Sequence, residues 1–117
     1  MNSKNNFKKG SVELLVLCLL QEADCYGYQL TQLISQRSGG LIEVPEGSLY
    51  PSLCRLIDKG FISDEKRLVG KRMTRVYYHL ESAGKEYYDQ LLKDYLEVHQ
   101  GIQNVLFYHE DHDSTEK

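Results

Sequence analysis

Ser48, Ser52, Arg55 and Lys59 fall on one side of a helical wheel, with Pro51 beside them, while Leu49, Leu53, Leu56 and Ile57 gather on the other. A face of hydroxyls and cations suits a DNA major groove. There arginine pairs with guanine O6 and N7, and hydroxyls reach bases or phosphates. A second group follows at once: Lys66, Arg67, Lys71, Arg72 and Arg75 lie within ten residues, with no acidic residue between Lys66 and Leu80. Closed into a hairpin, these cations would form one patch able to neutralise several phosphates. Taken separately, each group is also what an ordinary solvated face looks like. Their succession is what points to a nucleic acid.

Other chemistry has little support. There is no glycine-rich phosphate loop, nucleophile elbow or helix-borne HExxH, and the carboxylates are scattered among surface charges, so no enzyme activity and no cofactor are expected. Cys18, Cys25 and Cys54 match neither a disulfide framework nor a zinc site and read as reduced thiols. Cys54 shares the helix assigned to DNA, but nothing nearby marks it as a thiolate. His109 and His112 fall in an acidic tail and are not taken as metal ligands, and His79 and His99 read as packing or surface residues.

The elements that must carry these groups follow from the punctuation. After a lysine-bearing arm, 1–9, Gly10 and Ser11 can cap a helix to about residue 22 that is apolar on nearly every side. A domain this small struggles to cover such a helix, so Leu15 and Leu19 are assigned to a contact with another subunit. A second helix spans about 26–37 and ends at Ser38-Gly39-Gly40. The third is bracketed by Pro45 and Gly60, with Gly47 or Ser48 as its cap so that Pro51 lies in the first turn. Two β-like runs, 61–65 and 74–80, flank a long basic loop containing Gly70. Ser82 opens a last helix to about residue 107, in which Tyr88, Leu91, Tyr95, Val98, Ile102 and Val105 recur in steps of three and four. At about 1.5 Å per residue that helix outruns the domain, so its outer half should meet a partner chain.

The fold class expected is mainly α with a small β-hairpin: a winged helix-turn-helix, 10–80, plus a long C-terminal dimerisation helix, 81–108, followed by a disordered acidic tail, 109–117. Composition agrees with a single soluble domain: 117 residues, 41% apolar and 26% charged. The apolar run 14–20 is too short to span a bilayer, so a cytoplasmic address is expected. The net charge of −3 conceals a division. Residues 1–80 carry 11 basic and 8 acidic groups, whereas 81–117 carry 3 and 9. Local density rather than the total decides whether DNA is held.

Three stretches, CYGYQLTQLI at 25–34, GSLYPSLCRLIDKGFI at 47–62 and RVYYHLESAGKEYY at 75–88, resemble the PadR family of transcriptional regulators, and the second is the most specific. The resemblance runs over about residues 11–106 and fits the family's compact subgroup. It implies a dimeric winged-helix repressor, with DNA contacts from Ser48, Tyr50, Pro51 and Arg55 and from the wing around 70–75. It also makes a small aromatic or drug-like effector an expectation, with Tyr88, Tyr95 and Phe107 as the available aromatics. The sequence departs from the family at Glu81, where threonine is usual. A winged-helix module that binds protein instead of DNA is the alternative, since fold alone does not fix function.

Overall fold

The computed structural model describes residues 10–110. The expected arm, most of the tail and His112 lie outside them. Helix α1 (Val12–Leu20) is followed by the short strand β1 (Cys25–Tyr26), then α2 (Gly27–Arg37) and α3 (Glu46–Asp58). The hairpin strands β2 (Ile62–Val69) and β3 (Met73–Leu80) come next, and α4 (Ser82–Leu106) closes the order. The sheet is antiparallel in the order β1-β3-β2. This is a winged helix-turn-helix with a long C-terminal helix.

One apolar core organises the domain. Val16 and Leu17 of α1, Leu30 of α2, Leu49, Leu53 and Leu56 of α3 and Ile62 of β2 are fully buried, with Tyr78 of β3 beside them. Burial pushes the Tyr78 phenol up to about 12. Between α2 and α3, the Ser38 hydroxyl accepts the Ile42 amide at 2.9 Å and steadies the turn. Gly60, at φ 76°, supplies the left-handed stop expected after α3.

Two local expectations are corrected, and one strand adds to them. α3 starts at Glu46 rather than after Gly47 or Ser48, because the Pro45 carbonyl already accepts Ser48 N at 2.9 Å and Leu49 N at 3.0 Å. Pro51 therefore sits in the second turn, and the bond it forgoes is to the carbonyl of Gly47, an exposed residue that water can satisfy. The wing has no long loop: its strands pair from Ile62 opposite Leu80 to Val69 opposite Met73, leaving residues 70–72 as the turn. The charged run 64–67 breaks the apolar alternation by which a strand is recognised, but a backbone ladder does not require apolar side chains. β1 was not expected at all, since two residues carry no periodicity.

α4 is anchored at its start. The Glu81 amide donates to the Phe61 carbonyl at 3.0 Å, and Tyr87 stacks on Phe61 at 4.3 Å between centroids. Gly84 lets the helix pass against that same carbonyl, where a side chain would collide with backbone. The Glu81 carboxylate accepts the Ser63 hydroxyl at 2.6 Å, so this residue ties the start of α4 to β2. From residue 93 onward the helix is exposed on every side.

Candidate nucleic-acid interface

α3 turns its leucines inward and leaves Gly47, Ser48, Tyr50, Pro51, Cys54, Arg55, Asp58 and Lys59 at the surface. Tyr50 leans over the start of α2, its ring lying where any side chain at Gly27 would go. Ser52 is a correction. It is 3% exposed, and its hydroxyl accepts Arg55 Nη2 at 3.0 Å. On the wheel it borders the apolar arc, and packing of α3 against the core takes it inside. Arg55, 58% exposed, is turned along the protein by Glu13, whose carboxylate accepts its Nε at 3.3 Å.

The wing cations are not one patch. Arg67 and Arg75 face each other across the hairpin, and Lys66 lies opposite Val76 on the other face, because neighbouring residues on a strand alternate. Two like charges in register repel. Here aromatic faces and a carboxylate offset the repulsion. Arg67 lies 4.5 Å over Tyr77 and Arg75 4.2 Å over Tyr26, while the two tyrosines meet edge to face at 5.5 Å. Arg67 also donates to Asp24 at 2.6 Å. Lys66, Lys71, Arg72 and, at the end of α3, Lys59 are exposed and make no ion pair among the described residues. Of the cations on α3 and the wing, these are the ones whose charge is not already engaged by a carboxylate or an aromatic face.

Asp24 is a centre the sequence did not reveal. It accepts from both Arg67 and His79, the latter at 2.8 Å. The His79 hydrogen bond, with that of Arg67, holds the Asp24 carboxyl below its ordinary range, and the Asp24 hydrogen bond raises His79 above its own. No sequence spacing signals a pair 55 residues apart.

Residues 16–90 match the model of the transcriptional regulator PadR-like family. The chain belongs to the PadR-like family. Over 87 residues it is 31% identical to the negative transcriptional regulator PadR of Bacillus subtilis, covering 74% of this chain and 46% of that one. It spans less than half the length of that relative. A transcriptional regulator from Clostridium thermocellum superposes with a TM-score of 0.79 at 28% identity, covering 89% of this chain and 99% of the other. Bacillus subtilis PadR in complex with operator DNA superposes at 0.63 over 91% of this chain and 53% of its own, and at 23% identity it shows the shared fold.

In this PadR-like chain the C-terminal helix leaves a long apolar strip open. Val98 is 60% and Ile102 51% exposed, and Tyr95 and Val105 continue the strip, while Leu96, Leu106 and Phe107, outside the three-and-four spacing, are exposed as well. Tyr88 and Leu91 are partly covered by the domain's own core. Leu19 is a further correction: at 7% exposure it belongs to the core of its own chain. A helix apolar all round has no periodicity to separate its faces. The side of α1 that stays open carries exposed Cys18, with Leu14 and Leu15 half-buried.

Proposed function

We propose that the chain is a DNA-binding repressor that acts as a homodimer, with residues 10–80 as the DNA-binding unit and 81–108 as the dimerisation helix. The observation that carries this reading is that four cations at the end of α3 and along the wing, Lys59, Lys66, Lys71 and Arg72, stay exposed with no ion pair among the described residues. The Bacillus subtilis relative, a negative transcriptional regulator, supports the sign of the regulation. That PadR has been seen on operator DNA supports the ligand. In such a complex α3 enters the major groove with Ser48, Tyr50 and Pro51 leading and Arg55 at the side, and the wing lies along phosphates.

The open strip on α4 supports dimerisation, because an apolar patch of this extent on a lone helix is costly to leave in water. A two-fold dimer presents two reading helices and two wings, so its operator is an inverted repeat. Tyr88, Tyr95 and Phe107 are the side chains offered to a small aromatic or drug-like effector. A panel of such compounds that leaves DNA affinity unchanged removes the effector from the account. The function itself is tested by anisotropy titration of a duplex from the chain's own upstream region and of a scrambled duplex, each at two salt concentrations. Tighter, salt-sensitive binding of the first is expected. Equal failure to bind both transfers the wing to a protein partner.

A further inference from the structure

Glu13, in the first turn of α1, has a side chain only 21% exposed, and it uses its two oxygens separately. Oε1 accepts the Tyr87 hydroxyl at 3.0 Å and Oε2 accepts Arg55 Nε at 3.3 Å. Tyr87 is itself held flat on Phe61, with an interplanar angle of 13°. Along the same edge of the guanidinium, Arg55 Nη2 donates to the hydroxyl of buried Ser52. The guanidinium is thus fixed along one edge by three helices, α1, α3 and α4, while more than half of the side chain stays open to solvent.

An unrestrained arginine on a helix surface samples many rotamers and attracts any phosphate within reach. Pairing with a base edge asks instead for one orientation of a planar fork. A carboxylate against Nε supplies orientation and also cancels much of the charge that drives attraction to any sequence. We propose that Glu13 is a positioning residue for sequence recognition, holding Arg55 so that it selects bases rather than adding to general phosphate affinity. The inference rests on the DNA-binding reading above.

The test uses the full chain and a duplex that the wild type enriches from random sequence, compared with a scrambled duplex over a salt series. Glu13→Gln keeps an acceptor for Tyr87 but presents no charge to Arg55. Affinity for the scrambled duplex rises, that for the enriched duplex falls, and the ratio between them drops by about three- to tenfold. An ion pair that merely stabilises the fold lowers the melting temperature and leaves the ratio alone. In an Arg55→Gln background, Glu13→Gln has no further effect on the ratio. An unchanged ratio in the folded single variant, or an equal drop in the Arg55→Gln background, overturns the proposal. If Glu13→Gln does not fold, Tyr87→Phe, which keeps the stack on Phe61, replaces it: a smaller fall in the ratio is expected, and no fall overturns the proposal. A wild type that enriches no sequence at all removes the DNA-binding reading itself, and the proposal with it.

Discussion

At the scale of single residues, the cations divide by what already holds them. Arg67 and Arg75 are stacked on tyrosines and Arg55 is paired, whereas Lys71 stands in the wing turn with no ion-pair partner among the described residues. Lys71→Ala is therefore expected to weaken enriched and scrambled duplexes by similar factors and to lower the salt slope by about one for each contact removed. Arg55→Ala is expected to cost about 1–3 kcal/mol on the enriched duplex and little on the scrambled one. Titrations at several salt concentrations separate the two.

The Asp24–His79 contact gives a pH prediction whose sign is fixed by the two shifts. His79 is raised above its ordinary 6.5, so its stabilisation is complete below that value and is lost as pH rises through the higher folded value. Asp24 is lowered from 3.8, so its contribution is present above that value and is lost only as pH falls below it. The contact is strongest in mildly acidic solution and fades above neutrality. Because His79 is well exposed, the effect on thermal stability is small. Melting curves of wild type and His79→Gln should converge as pH rises from about 6 to 8; curves that stay parallel contradict the assignment.

At the scale of elements, what was legible in the sequence had either a period or punctuation. α2 is bounded in the sequence by Ser38-Gly39-Gly40, and α4 by its spacing and its length. The wing's strands run further than apolar alternation shows because residues 64–67 are all charged, and α3 starts earlier than a first-turn Pro51 would place it. Ser52 and Leu19 show the same limit in side chains: each is where the wheel gives an ambiguous angle and only packing decides. Glu13 and Asp24 were illegible, since their partners lie 42 to 74 residues away. The docking of α4 yields its own prediction. Gly84→Ala forces a methyl into the Phe61 carbonyl, and overpacking of this kind costs about 1–3 kcal/mol. A lowered urea midpoint is expected, and a midpoint equal to wild type contradicts the close approach.

At the scale of the whole molecule, the shape is governed by a helix that outlasts its domain. The described residues measure 71 × 33 × 21 Å, and the far half of α4 lies beyond the winged-helix core with Val98, Ile102 and Val105 exposed. Replacing Val98 and Ile102 by aspartate should give folded monomers in sedimentation, and a folded variant of unchanged dimer mass contradicts that seam. In the proposed dimer, two reading helices related by a two-fold axis must meet two half-sites related by the same axis. Hydroxyl-radical footprinting of the enriched duplex tests this most directly. The account predicts two symmetric protected patches whose centres are about one helical turn, roughly 34–36 Å, or a multiple of it apart, with protection at the patch edges weakened by Lys71→Ala. A single asymmetric patch, or uniform protection without sequence register, would contradict it.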